Sequence, residues 1–444
     1  DHPLLSSALR LVARLNGEGT GATLIRRAGT SFLLLGTGTG IGFLLQLFLA
    51  RSLGASQFGI YIFVLTWFNI LAVVAKFGLE TTTVRFVAAY RVREEWGALR
   101  GLLQLSHRFV WVSSLLVALV AAGVVWQLGD RLEPELARTF WLCCVGLPLW
   151  AGQGLRASAL QALRQVVRAQ VPEQIVRPTL HAVLVGLLLL CTAWTLSAPV
   201  VMALNLLAIL VAFVLLTVWL RQCLPEGARS AAPVMELHKW RNVTLPLYVM
   251  AGTHLLMSQV DTVTVGMLVG TTEAGIYAVA ARLAQLIVFG LTAINTVAGP
   301  MISQLHSTGR NEELQRVATV TSRGILAYSL PVCLVMMVGG KFMLSLFGPS
   351  FVAGYPVLVI LTLGQLVNAL TGSVGLILTM TGNQLEALRI LVGSAALNVL
   401  LNALLVSRWG IIGAAVATGT CIAFQNLAMA YFVWKRLGLK TTII

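Results

Sequence analysis

Charge is what this chain has least of. Only 11% of its 444 residues are Asp, Glu, Lys or Arg, and 16 of these are acidic. A typical soluble domain is about a quarter charged, so a water-exposed globular fold is excluded. Cysteine is sparse too. Six residues (Cys143, Cys144, Cys191, Cys223, Cys333, Cys421) are scattered without C-x-x-C or metal-ligand spacing, which excludes a disulfide framework or a zinc site and leaves small apolar packers. No P-loop or H-E-x-x-H motif occurs, large extramembrane loops are missing, and acids do not cluster at a span end. A membrane glycosyltransferase, ligase or polymerase is therefore excluded, and no cofactor is expected. No cleavable signal peptide is evident, and the chain opens on Asp1 and not Met, so it is read as starting inside its gene product.

Apolar runs dominate what is present. Hydrophobic residues make up 57% of the chain and mean hydropathy is +0.86, the composition of a polytopic membrane protein. Leu4, Ala8, Leu11, Val12 and Leu15 share one helical face opposite Arg10 and Arg14, which predicts an interfacial amphipathic helix within residues 1–22. Twelve spans follow, at about 28–50, 58–78, 106–128, 136–163, 173–194, 199–220, 243–268, 275–299, 319–339, 354–380, 384–406 and 410–434. The net charge of +15 is spread between these spans, so it reads as an orientation signal and not as a nucleic-acid patch. Of the 31 Lys and Arg, 25 fall on the side of the termini and 5 (Arg51, Arg131, Arg138, Lys341, Arg408) on the other, with Arg282 inside a span. Four of the 25 are assigned to the connection between spans four and five. Both termini are thus expected in the cytoplasm.

The two halves repeat. Leu53-Gly54-Ala55-Ser56-Gln57-Phe58-Gly59-Ile60-Tyr61 aligns with Val269-Gly270-Thr271-Thr272-Glu273-Ala274-Gly275-Ile276-Tyr277 at an offset of 216, which also sets Arg100 on Arg316 and Ser106 on Ser322. An even number of spans separates the copies, so they share one orientation, a parallel repeat about an axis along the membrane normal. This predicts a first lobe over residues 23–220, a charged linker over 221–242 and a second lobe over 243–444. The two inner connections, 85–108 and 301–323, are amphipathic and are expected to lie along the interface.

Span eight carries the most specific pattern. Tyr277, Ala280, Arg282-Leu283-Ala284-Gln285-Leu286, Gly290, Thr296-Val297, Pro300 and Ser303 resemble the eighth-helix pattern of the MOP transporter superfamily, which holds the Wzx-type polysaccharide flippases, the lipid II flippases and the MATE drug exporters. The resemblance implies an all-α polytopic fold of twelve helices in two six-helix lobes around a central cavity.

Polar side chains inside the spans are the candidate site residues, because lipid satisfies none of them. Arg282 offers a planar fork to a phosphate. Asp261 lies at similar depth across the hairpin of spans seven and eight, where it either pairs with Arg282 or takes up a coupling cation. Arg156 either snorkels to the interface or makes a second diphosphate contact. Gln46, Asn69, His254, Gln285, Gln365, Asn368, Asn398 and Asn402 are candidates to line the cavity. Asn398 and Asn402 equally suit helix–helix hydrogen bonds, and His254, like His181, suits a core position. The second half is read as the more polar lobe. Lys76, Glu80 and Arg85 close span two, either as a surface cluster with an i, i+4 pair or as a gate for an anionic head group.

A cation-driven drug exporter needs several intramembrane acids, and here only Asp261 lies deep in a span. The lipid II branch usually has Arg-Asp after Gly-Phe in its first helix, where this chain has Leu45 and Gln46. That branch also typically adds two C-terminal helices, whereas this sequence stops at Lys440-Thr441-Thr442-Ile443-Ile444. The Wzx-type resemblance implies an undecaprenyl-diphosphate-linked O-antigen, capsule or exopolysaccharide unit moved by alternating access across the bacterial inner membrane. Its further implications are membrane lipid, a polysaccharide polymerase and chain-length proteins as partners, with the transporter itself monomeric. A MATE-type exporter and a lipid II flippase are the alternatives.

Overall fold

A computed structural model describes residues 20–191, 196–439 and 441; apart from its last three positions, the expected N-terminal helix over 1–22 lies outside them. Among the described residues the chain is helical with no strand. The long helices are α1 (Thr20–Lys76), α2 (Leu79–Arg93), α3 (Trp96–Gln127) and α4 (Pro134–Ala162). Next come α5 (Val166–Val171), which passes through a π-helical turn at Pro172–Val176 into α6 (Arg177–Cys191), then α7 (Ala198–Cys223) and the short α8 (Glu226–Ser230). The second half has α9 (Leu237–Leu268), α10 (Thr271–Ser307), α11 (Asn311–Ser345), α12 (Tyr355–Thr371), α13 (Val374–Met380) and α14 (Gln384–Leu437).

Eight of these segments are long and apolar enough to cross a membrane. Two of them are double. α1 turns at Gly54 (φ 71°, ψ 171°) and α14 at Gly410 (φ 57°, ψ −135°), conformations that only glycine adopts without strain. α4 and α9, at 29 and 32 residues, are long enough to span but carry the polar residues Gln153 and Arg156, or Gln259 and Asp261. Counting these gives twelve crossings in two six-helix lobes, as the resemblance implied.

The cores explain where the space between the lobes lies. Near the Gly54 corner one apolar cluster takes residues from both halves, including Leu49, Phe58 and Tyr61 with Ala274, Tyr277 and Phe351. Phe58 meets Phe351 edge-on at 5.7 Å, and Phe43 meets Phe347 at 5.6 Å. The repeated motif itself packs backbone to backbone: a Cβ on Gly275 would sit 2.7 Å from the Cα of Gly59, its partner at offset 216. At the opposite end the cores separate, one holding Phe86, Leu102, Leu160 and Leu216, the other Ile302, Leu378 and Val433. The lobes are fused at one end and parted at the other.

One seam still ties them at the parted end. α1 stops in a left-handed corner at Phe77 and Gly78 (φ 48° and 75°). There the Phe77 ring stacks on Tyr248 of α9 at 4.4 Å, and Thr82 and Thr244 share a 3.0 Å hydrogen bond. Further out the Tyr90 hydroxyl donates to Glu236 and accepts from the Trp240 indole at 2.8 Å.

Candidate functional site

Two connected cavities open between the lobes toward the parted end. The larger, about 500 Å³, is walled by Asn69 and Lys76 of α1, Glu80 of α2, Trp150, Gln153 and Gln161 of α4, Gln170 and Glu173 before α6, and Gln259 of α9. The second, about 350 Å³, is lined by Gln46 and Tyr61 of α1, Arg177 and His181 of α6, Asn205 of α7 and Arg282 of α10. Asn69, Trp150, Glu173 and Gln174 border both, so the two are compartments of one space.

Local structure shows why these side chains point inward. Pro172 and Pro178 lack amide hydrogens, and the helix between them widens into a π turn, a device that commonly re-aims functional side chains. The turn delivers Glu173, Gln174 and Arg177 to the cavity. Arg177 lays its guanidinium over the Trp150 ring, 4.5 Å from the centroid. On α1, glycine at position 38 lets Gln174 approach so closely that a Cβ there would lie 2.7 Å from the Gln174 Cβ. Gly42 presents a bare backbone to the Arg282 guanidinium, with 3.8 Å left for a methyl. Gly40, by contrast, has nothing within 4 Å, so the glycine run is not uniformly a packing surface.

Arg282 donates to Gln285 Oε1 at 3.3 Å and forms no salt bridge among the described residues; neither does Arg177. The expected Asp261–Arg282 pair does not form. Tyr277 already meets Asp261, and Arg282, five residues further on, points about 140° round the helix from it. Asp261 instead sits in a buried oxygen-rich knot of the second half. Its Oδ2 accepts from Tyr277 at 2.7 Å and Thr418 at 2.6 Å, and its Oδ1 accepts from Asn402 Nδ2 at 2.8 Å. Asn398 Nδ2 donates to Thr418 Oγ1 at 3.0 Å, while Oδ1 of both Asn398 and Asn402 is buried without a hydrogen-bond partner.

Several expected cavity residues are corrected. Asn398 and Asn402 belong to that knot and line neither compartment. Gln365 and Asn368 are half-buried and satisfy each other at 3.1 Å. His254 is exposed on α9 while its neighbours Leu255 and Gln259 face the cavity, and Gln285 touches the site only through Arg282. Arg156 lines neither compartment. It lies on the far side of α4 from the Gln153–Ala157–Gln161 face, stacks on Phe213 at 4.1 Å and donates to the Gly152 carbonyl at 2.8 Å. Lys76 and Glu80 form a 3.0 Å salt bridge and border the larger compartment, whereas Arg85 is exposed and does not. The cavity amides come mainly from the first half, so the expectation of a more polar second lobe fails for the cavity and holds only for the buried knot. Sequence reading missed Arg177, Trp150, Glu173 and Gln174. A proline pair six residues apart at the start of span five, Pro172 and Pro178, was the available signal.

Two six-span lobes, fused at one end and parted around a polar cavity at the other, are a fold shared with solved transporters of the MOP superfamily. Solved structures agree on the fold. One is an inward-facing multidrug resistance MATE family transporter of that superfamily, with a TM-score of 0.71 at 14% identity over 92% of this chain and 94% of that one. Another is the lipid II flippase MurJ, with a TM-score of 0.69 at 12% identity over 91% and 87%. The model of the polysaccharide biosynthesis protein family matches residues 26–306, and a MatE model matches 246–404. The chain belongs to the polysaccharide biosynthesis protein family. Two relatives from Haloferax volcanii are named as flippases. "Probable low-salt glycan biosynthesis flippase Agl15" is 22% identical over 91% of this chain and 82% of that protein. "Probable flippase AglR" is 33% identical, over only 39% of this chain and 38% of that protein.

Proposed function

We propose that the protein is a flippase for an undecaprenyl-diphosphate-linked oligosaccharide repeat unit of O-antigen, capsule or exopolysaccharide type, and that it has no enzymatic activity of its own. The observation that carries this reading is the pairing of unpaired guanidinium charge with an amide-rich wall in one space between the lobes. Arg282 faces the smaller compartment without a carboxylate partner, the arrangement a diphosphate needs. Gln153, Gln161, Gln170 and Gln259, with the flat Trp150 ring, border the larger one and offer donors, acceptors and a stacking face to sugars. The family and the names of the relatives support the same class of cargo.

The head group and sugars enter this space while the lipid tail stays in the bilayer, and the lobes rock between two access states. The excess of basic residues on the side of the termini supports an orientation with both termini in the cytoplasm of the inner membrane. In that orientation the cavity opens to the cytoplasm, with the Lys76–Glu80 pair at its border as the gate that gathers the head group. The Asp261 knot supports cation coupling. A carboxylate and two orphaned amide oxygens form an all-oxygen donor set suited to a small hard cation such as Na⁺.

The test uses export of the polysaccharide in a strain whose own flippase is deleted. Arg282→Lys keeps the charge and loses the bidentate fork, so it should restore far less polymer than the native protein at equal expression. Full export by that variant contradicts the reading. One observation favours a MATE-type cation-coupled exporter as the second reading: the MatE model matches the half that holds the Asp261 knot. Efflux of a cationic dye driven by an ion gradient, with no effect on polysaccharide, would select it.

A further inference from the structure

The smaller compartment holds a second cation that the eighth-helix pattern does not supply. Arg177 and Arg282 come from opposite lobes, line the same cavity of about 350 Å³, and neither is in a salt bridge among the described residues. A half-buried guanidinium inside a bilayer is expensive unless it is paired or faces water or a ligand. Two of them facing one small space, Arg177 at the end of the proline-bounded π turn and Arg282 on α10, form an anion site. Arg177 is also pre-positioned. Its stacking on Trp150 at 4.5 Å holds the planar fork edge-on to the cavity and leaves its N–H groups free to donate.

We infer that Arg177 is the first-lobe half of a two-arginine diphosphate clamp, each guanidinium holding one phosphoryl group, with Arg282 as the other half. This rests on the flippase reading above and adds the residue that selects a diphosphate over a monophosphate. The geometry also gives the anion a mechanical role. A diphosphate bound to both guanidiniums bridges the lobes, so its binding energy draws α6 and α10 together and favours closure. Glu173 is the single carboxylate on this wall; it attracts the Arg177 charge without closing to a salt bridge, and so competes with the anion for it. Removing its charge should strengthen binding.

The experiment measures affinities of undecaprenyl diphosphate and undecaprenyl monophosphate, both without sugars, for purified full-length protein in nanodiscs. Native protein should prefer the diphosphate. Arg177→Ala should lose roughly ten- to hundredfold in diphosphate affinity, the loss of charge-assisted hydrogen bonds to one phosphoryl group, and bind the monophosphate as before. Arg177→Lys should recover part of the loss, and Glu173→Gln should bind the diphosphate more tightly than native. Monodispersity and native melting temperature identify folded variants; should Arg177→Ala fail them, the Arg177→Lys and Glu173→Gln comparisons decide. If Arg282→Ala abolishes binding while the Arg177 variants keep the full diphosphate preference, the clamp is overturned and the flippase reading stands. If native protein binds neither lipid, both fall.

Discussion

Arg156 and Arg282 look alike in the sequence, each a basic residue about two turns inside a span, yet the structure gives them opposite surroundings. Phe213 covers Arg156 and the carbonyl of Gly152 accepts a hydrogen bond from it, so its charge is absorbed within the first lobe. Arg156→Met should therefore leave lipid binding unchanged and lower stability by about 1–2 kcal/mol, the worth of a desolvated cation–π contact, read as a fall in melting temperature. At Asp261 the reverse holds. Asp261→Asn keeps the size of the side chain and removes the anion from the knot of Tyr277, Asn402 and Thr418. Any Na⁺ dependence of transport should vanish in this variant while the protein still folds; Na⁺ dependence that persists would sink the coupling role. Sequence made Arg282 and Asp261 visible as costly intramembrane charges, but their partners were not. Which of two faces a side chain takes depends on helix rotation, and five residues between Tyr277 and Arg282 sufficed to part the expected ion pair. Arg177 was hidden for a different reason. Its place near the start of span five counted it among the loop charges, and only the proline-bounded π turn brings it into the cavity.

At the scale of elements, spans were legible because long apolar runs admit one reading in a bilayer. The cavity wall was less so, since Gln and Asn serve equally as hydrogen-bonding groups and as lining: Asn398 and Asn402 bond between spans, and Gln365 and Asn368 bond to each other along one helix. The repeat was legible, and its two copies meet where Gly59 and Gly275 touch backbone to backbone. Gly275→Ala puts a methyl where only 2.7 Å is available, and the opposing backbone cannot move aside as a side chain could. The fused end should be strained by about 1–3 kcal/mol, as overpacked cores are. Spin labels across this end should report a shift toward separated lobes. The seam at the other end has a titratable latch. Hydrogen bonds from the Tyr90 hydroxyl and then from Lys239 hold the Glu236 carboxyl below the usual carboxylate range. A depressed folded value means that the latch is fully effective above the ordinary Glu pKa of about 4.3 and is lost as pH falls through the lower folded value. The melting temperature of native protein should therefore fall across that acid window more steeply than that of Glu236→Gln.

The whole molecule joins a shared apolar core at one end to separate cores at the other, and places its polar space at the parting. That division suits a cargo with a charged head group, a sugar chain and a lipid tail: guanidiniums in the smaller compartment, most of the glutamines in the larger, and the bilayer beside them. The direct test is translocation in liposomes reconstituted with purified protein. A diphosphate-linked oligosaccharide is loaded in one leaflet, and its protection from an external glycan-modifying enzyme is followed over time. The account predicts rapid exchange with native protein and background exchange with Arg282→Ala. Equal exchange in both, or none with native protein while a cationic dye is expelled under an ion gradient, would contradict it.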